Sequence, residues 1–129
     1  MKRGIKILLT ILVIIGILTG AFISFLYYGK SETLNLTING IDLSKVTDGL
    51  YKGSYSKGRF SYKVEVTVKD SRIESIKIIS EPSFFSAQEL DNTIIGRVLQ
   101  QQSLKVDAVT GATATSKALL KAIENALNK

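Results

Sequence analysis

A cluster of hydroxyl side chains near the C-terminus is the part of this sequence best suited to chemistry. Residues 106–116 read VDAVTGATATS. The hydroxyl groups belong to Thr110, Thr113, Thr115 and Ser116. Among them, Gly111 and Ala112 are small enough for a ligand to approach the backbone closely. Because hydroxyl groups donate hydrogen bonds to anionic oxygens, this composition favours a phosphate site.

A helix is predicted to follow these hydroxyls and to position them. Apolar residues recur at helical spacing at Ala118, Leu119, Ala122, Ile123, Ala126 and Leu127. The hydroxyls therefore fall at the N-terminus of a helix that begins near Thr115, where unpartnered amides and the helix dipole favour an anion. We expect Thr115 and Ser116 to cap this helix, with their oxygens accepting amide hydrogen bonds. The alternative for the whole cluster is a simple turn and a Ser/Thr cap that binds nothing.

Several classes of site are excluded by what the sequence lacks. The chain contains no Cys and no His, which excludes disulfides, iron-sulfur clusters, ordinary haem ligation and the common zinc sites. Neither the GxxxxGK loop of nucleotide hydrolases nor the GxGxxG loop of Rossmann domains occurs. We therefore predict no catalytic or metal-binding cluster, and any redox chemistry requires an imported organic cofactor.

An antiparallel sheet is predicted upstream of the hydroxyl cluster. Asp48-Gly49 opens an aromatic segment, LYKGSYS, which ends in a turn at residues 57–58. Apolar and polar residues then alternate with a period of two over residues 59–69. The β-branched run over residues 72–80 suits the returning strand of a hairpin.

A first helix is predicted after Pro82. Ser86 and Glu89 have the spacing of a capping box, and Phe85 and Leu90 have that of a hydrophobic staple. The inward stripe consists of Leu90, Ile94, Val98 and Leu99. Together these elements predict an α+β domain over residues 48–129, with a small antiparallel sheet and two packed helices.

The N-terminal segment predicts one transmembrane helix. The run from Ile7 to Tyr28 has no charged side chain, and at about 1.5 Å per residue it is roughly 33 Å long, enough to cross a bilayer. A cleaved signal peptide is the alternative, but the best cleavage site, Thr19 to Ala21, lies inside the apolar run. Basic residues concentrate before the span, which predicts that residues 1–6 are cytoplasmic and the C-terminal domain is extracytoplasmic.

The net charge beyond the span argues against a nucleic-acid partner. Four of the 17 basic residues flank the span, which leaves 13 basic and 11 acidic side chains beyond residue 30, a net charge of +2. A polybasic nucleic-acid surface is therefore not expected.

Residues 29–47 are polar with scattered aliphatic side chains, and we interpret them as an extracytoplasmic spacer that could include a short edge strand.

The sequence DAVTGAT at residues 107–113 resembles the flavinylation motif of the FMN-binding domain family. That family includes the flavin-carrying subunits of sodium-pumping NADH:quinone oxidoreductases and of Rnf-type complexes. DGLYKGSYS and YKVEVTVKDSRIESIKII are similar to the family's opening Asp-Gly-x-Tyr-x-Gly and its strand pair, so the resemblance covers about residues 48–127. It implies that a separate flavin transferase, using FAD as donor, joins FMN to Thr113 through a phosphoester. The other motif positions match Asp107, Thr110, Gly111 and Ala112.

The resemblance implies a membrane-anchored electron carrier rather than a stand-alone enzyme. Its partners would be a redox donor in or near the membrane, such as a quinone-linked dehydrogenase, and an acceptor outside. The alternatives are a flavin-dependent reductase of a small molecule and a cofactor-free binding domain. Where many short relatives have a Gly-rich stretch with a His or Thr, residues 80–85 read SEPSFF. The residues that contact the flavin ring therefore stay unassigned. Four aromatic residues could either stack on that ring or belong to the core, namely Tyr51, Tyr55, Phe84 and Phe85.

Overall fold

The computed structural model describes residues 2–81 and 88–128. Its elements, in chain order, are α1 (Lys2–Tyr27), α2 (Lys30–Leu34), a 3-10 turn (Leu43–Lys45), β1 (Gly49–Lys57), β2 (Phe60–Lys69), β3 (Arg72–Ser80), α3 (Gln88–Gln101) and α4 (Thr113–Leu127). This order confirms the predicted α+β domain behind an N-terminal apolar helix. The predicted capping box and staple involve Ser86 and Phe85, which lie outside the described residues.

The three strands form an antiparallel sheet in the order β1-β2-β3. Lys57 pairs with Phe60 and Lys69 pairs with Arg72, so each connection is a tight two-residue turn. The alternating apolar residues predicted for β2 are buried, namely Phe60, Tyr62, Val64, Val66 and Val68. The period-two pattern therefore identified the inner face of the central strand correctly.

The helices α3 and α4 supply the other side of the hydrophobic core. Ile94 and Val98 of α3 are fully buried, while Leu90 and Leu99 are partly buried against the core. The predicted stripe of α4 is buried along its whole length, at Ala118, Leu119, Ala122, Ile123, Ala126 and Leu127. Because α4 is rich in alanine on this side, its backbone can lie very close to the sheet.

Gly53 marks the closest approach between α4 and the sheet. A Cβ atom built at this position would lie 2.3 Å from the amide nitrogen of Ala126 and 2.4 Å from the carbonyl oxygen of Ala122. Both are backbone atoms, which cannot rotate away as a side chain can. Gly53 is the last glycine of the DGLYKG opening, and this contact gives a physical reason for a glycine there.

Residues 29–47 differ from the sequence prediction. No edge strand forms in this described segment; it contains α2 and the 3-10 turn. Its scattered aliphatic side chains pack against the core at Leu34, Ile38, Ile41, Leu43 and Val46. The segment runs beside α4, where the Lys117 ammonium donates to the Leu34 carbonyl at 2.6 Å and the Glu124 carboxylate accepts from the Asn39 amide at 2.9 Å. These contacts to α4 take the place of pairing with the sheet.

The N-terminal helix has the length and composition of a membrane span. The helical segment Lys2–Leu34 contains a window of mean hydropathy 2.7, none of which is buried within the protein. Large apolar side chains from Ile5 to Tyr28 are exposed. This pattern fits a single-pass anchor because a bilayer would cover the exposed apolar surface.

Candidate functional site

A tight turn precedes α4 and contains the small residues of the motif. The amide of Ala112 donates to the carbonyl of Val109 at 2.9 Å, which closes a four-residue turn. Gly111 occupies the third position with a φ of +81°, the left-handed conformation that type II turns require there. A Cβ at Gly111 would meet no atom within 4 Å, so the turn is open to solvent on this side.

Ser116 fastens this turn to the helix. Its hydroxyl accepts a hydrogen bond from the amide of Val109 at 3.1 Å and donates one to the carbonyl of Ala112 at 2.8 Å. The side chain is fully buried. Ser116 therefore holds the turn from the first turn of α4, and its hydroxyl has both a donor and an acceptor partner.

The helix begins at Thr113, two residues before the predicted start. Ala112 is the N-cap residue and provides no side-chain hydrogen bond. The expectation that Thr115 and Ser116 cap the helix is wrong, because both lie inside its first turn and the Ser116 hydroxyl bonds Val109 instead. The turn at Gly111 reverses the chain early enough for the helix to start at Thr113.

Thr113 is the first residue of α4, at the end of the helix where a phosphate is favoured. The first hydrogen bond of α4 runs from the Ser116 amide to the Ala112 carbonyl at 2.9 Å. The amides of residues 113–115 precede this bond and have no acceptor within the helix. Thr113 and Thr110 are exposed, and Thr115 is half-buried. An uncapped helix N-terminus, an open glycine turn and an exposed hydroxyl together fit a phosphate ester, since the amides and the dipole offset its negative charge.

Asp107 lies on the extended run that leads into the turn. Its backbone carbonyl accepts a hydrogen bond from the Arg97 guanidinium at 2.7 Å, which connects this run to α3. The Asp107 side chain is exposed. The backbone thus fixes the position of Asp107 and leaves its carboxylate available to solvent.

Two of the four aromatic candidates have roles within the domain. Tyr51 and Tyr55 are both partly buried against the core. The Tyr51 hydroxyl donates to the Thr47 carbonyl at 2.7 Å, and the Tyr55 hydroxyl lies 2.9 Å from the Thr33 hydroxyl. Phe84 and Phe85 lie outside the described residues.

A buried carboxyl group at the start of α3 was not anticipated from the sequence. Asp91 is 2% exposed, and its Oδ1 accepts a hydrogen bond from the Tyr62 hydroxyl at 2.8 Å. Its Oδ2 is the one buried side-chain polar atom without a partner within residues 2–81 and 88–128. The group lines an open cavity of about 500 Å³ between β3 and α3, together with Ile76, Lys77, Glu81 and Asn92.

The surroundings of Asp91 favour its protonated form. Burial raises the pKa of the Asp91 carboxyl to about 6; the hydrogen bond from Tyr62 lowers the pKa, and Glu81 raises it. A sequence signal for this site existed, because Asp91 stands three residues before Ile94 on the inward stripe of α3. An acidic residue on an apolar stripe indicates a buried carboxyl group.

We expect Asp91→Asn to stabilise the domain at pH 8 by about 2–3 kcal/mol. The folded-state pKa of about 6 lies above the ordinary value of 3.8, so ionisation destabilises the fold as the pH rises from about 4 to 6, and the loss persists at higher pH. The neutral amide removes this loss and keeps an oxygen for the Tyr62 hydroxyl. Thermal unfolding of the full-length protein in detergent at pH 4 and pH 8 measures the effect.

The matched control for this prediction is Glu89→Gln, an exposed carboxylate in the same first turn of α3. It is expected to change the free energy of unfolding by less than about 0.5 kcal/mol at either pH. A gain for Asp91→Asn that is equal at pH 4 and pH 8, or a loss at pH 8, would contradict a pKa of Asp91 that burial raises in the folded protein.

A relative of this chain matches a large part of its length. The chain is 26% identical over 88 residues to an uncharacterized protein of Treponema pallidum (strain Nichols), and the match covers 67% of this chain. It covers 24% of the relative, so the chain spans about a quarter of that protein's length.

The family of the domain follows from a comparison with family sequence profiles. Residues 57–128, more than half of the chain, match the FMN-binding domain. This region contains β2, β3, α3 and α4, and it includes the open turn and the exposed hydroxyl of Thr113. The match confirms the resemblance seen in the motif, and the chain belongs to the FMN-binding domain family.

Proposed function

We propose that this chain is an extracytoplasmic electron carrier, anchored by α1, in which FMN is joined by a phosphoester to Thr113. The observation that carries the proposal is the position of Thr113, an exposed hydroxyl at the first residue of an uncapped helix, directly after an open glycine turn. The domain family supplies the identity of the cofactor. Thr110, Gly111, Ala112 and Thr115 surround the attachment point, and Ser116 holds their backbone in place.

The proposed attachment requires a second protein. The chain contains no His, and a Thr hydroxyl is a poor nucleophile without a base. A flavin transferase would supply the base. In the proposed step, the Thr113 hydroxyl would attack the FMN phosphorus of FAD, the pyrophosphate bond would break with AMP as the leaving group, and the hydroxyl proton would pass to the transferase.

The first turn of α4 would then hold the phosphate diester. Its first backbone amides, which have no acceptor within the helix, would donate to the phosphate oxygens, and the helix dipole would add to their effect. When bound, the flavin supplies the redox chemistry that this chain's own side chains lack. A covalent bond also retains the cofactor outside the membrane, where a dissociated flavin would diffuse away.

The single span and the small domain favour a relay over an independent enzyme. We propose that electrons arrive from a donor in or near the membrane, such as a quinone-linked dehydrogenase, and leave to an acceptor outside. To test this, the full-length chain is coexpressed with a flavin transferase and purified from membranes. We expect flavin absorption that bleaches with dithionite and returns in air. A colourless protein would support a cofactor-free binding domain, and steady turnover of a small molecule would support a reductase.

We expect Asp107→Ala to lower flavin incorporation severalfold while the melting temperature stays nearly unchanged. The Asp107 side chain is exposed, and the bond that fixes this residue uses its backbone carbonyl, which the variant retains. In-gel flavin fluorescence per mole of protein measures incorporation. Lys105→Ala, on an exposed residue of the same extended run, is the control and should incorporate flavin normally. Full flavinylation of Asp107→Ala would exclude a role for this carboxylate in attachment.

A further inference from the structure

The segment that leaves the membrane helix is packed against the hairpin between β1 and β2. Gly29 has a φ of +76°, and a Cβ there would lie 2.6 Å from Lys57 Cγ and 2.9 Å from the Lys57 carbonyl oxygen. Gly58 has a φ of +56°, and a Cβ there would lie 2.5 Å from the Tyr28 carbonyl oxygen. The two backbones therefore meet at a contact that has glycine on both sides.

Polar contacts reinforce this meeting of helix end and hairpin. The Arg59 guanidinium Nε donates to the Leu26 carbonyl at 2.9 Å, which satisfies an acceptor at the C-terminal end of α1. The Lys57 ammonium lies 3.1 Å from the Glu32 carboxylate. The buried Thr33 hydroxyl lies 2.9 Å from the Tyr55 hydroxyl. The domain is thus attached to its anchor through several contacts rather than through a flexible linker.

The same contact lies at the depth of the lipid headgroups when α1 spans a bilayer. Tyr27 and Tyr28 end the apolar run and are 63% and 58% exposed, as expected for aromatic residues at a membrane interface. The Lys30 ammonium lies 5.2 Å from the centre of the Tyr27 ring, and the Lys57 ammonium lies 5.6 Å from the centre of the Tyr28 ring. Each interfacial tyrosine therefore has a lysine ammonium near its ring.

We propose that Lys30, Lys57 and Arg59 form a docking surface for the phosphates of anionic phospholipids, which holds the domain in one orientation on the membrane. Three cationic side chains lie at this contact and would complement the negative charge of the headgroups. The carboxylate in contact with them is Glu32, which pairs with Lys57. Basic residues near an anionic surface each strengthen association by about fivefold. The inference requires that α1 lies in a membrane, and it is independent of the flavin.

The chain has no Cys, so single cysteines can carry spin labels without interference. Ser56→Cys places a label beside the hairpin turn, and Ser71→Cys places one at the turn between β2 and β3, about 30 Å away along β2. The full-length protein is reconstituted in vesicles of phosphatidylcholine and phosphatidylglycerol that contain a nickel-chelating lipid. We expect relaxation of the Ser56 label to be severalfold stronger than that of the Ser71 label. Equal relaxation of the two labels would show a freely tethered domain and overturn the proposal.

The lipid and the hairpin contact are then tested separately. In vesicles that keep the nickel-chelating lipid but lack phosphatidylglycerol, we expect the ratio of the two relaxation rates to fall by about twofold or more, because the anionic phospholipid is gone. An unchanged ratio would overturn the role of anionic phospholipids. Gly58→Val should also reduce the ratio, since its side chain would collide with the Tyr28 carbonyl. A preserved ratio in a folded Gly58→Val protein would overturn the role of the hairpin contact, and Gly29→Val tests the same contact if that variant fails to fold.

Discussion

Replacement of Thr113 by Val is expected to abolish covalent flavin while the domain stays folded. Val has nearly the shape of Thr but no hydroxyl, so the acceptor is removed with little change in packing. Thr113 is exposed, and its side chain does not cap the helix, whose N-cap is Ala112. The fluorescent flavin band on a denaturing gel should therefore disappear, and the melting temperature of the protein should change by only a few degrees.

The neighbouring hydroxyls provide controls for this result. Thr110→Val alters the other exposed hydroxyl of the turn, and Thr115→Val alters a half-buried one in the same helical turn. Both variants should keep the covalent band, although the band is expected to weaken if the transferase contacts either residue. If Thr113→Val keeps a full band and Thr110→Val or Thr115→Val loses it, the attachment point is not Thr113.

Replacement of Gly53 by Ala is expected to destabilise the domain by about 3 kcal/mol or more, at the upper end of the usual range for overpacking. The new methyl group would lie 2.3 Å from the Ala126 nitrogen and 2.4 Å from the Ala122 oxygen, so α4 must move away from the sheet. That movement would also loosen the contacts of Leu119 and Ile123 in the core. Thermal unfolding of the full-length protein in detergent measures the loss.

Gly96→Ala is the matched control for Gly53→Ala. Gly96 lies on the exposed side of α3, and a Cβ there would meet no atom within 4 Å. Alanine favours the helix over glycine by about 1 kcal/mol, so this variant should be slightly more stable than the native chain. A Gly53→Ala protein as stable as the native one would contradict the close approach of α4 to the sheet.

Much of the fold could be predicted from the sequence because its patterns are regular. The alternation in β2 placed Tyr62 and Val64 on the inner face, and the helical spacing in α4 placed Leu119 and Ile123 in the core; all four are buried. These patterns are reliable because burial of one face directly determines the spacing of apolar residues. The strand order followed from the two short turns.

Other features depend on contacts between distant parts of the chain, which the sequence pattern does not reveal. The aliphatic residues of 29–47 are too widely spaced to indicate a regular element, yet Ile38 and Ile41 pack against the core. The start of α4 at Thr113 depends on the turn at Gly111, because a left-handed residue there allows an earlier helix than the cap residues suggested. Asp91 is buried beside Tyr62, which is 29 residues earlier in the chain and supplies its hydrogen bond.

The most direct test of the proposed function is the mass of the protein taken from its native membranes. The intact full-length chain should carry an added mass equal to FMN less one water, since transfer from FAD with loss of AMP adds the FMN group in place of the hydroxyl hydrogen. Peptide mapping should place that mass on Thr113. An unmodified chain in native membranes that contain an active flavin transferase, or an added mass on Thr110 or Thr115, would contradict the account.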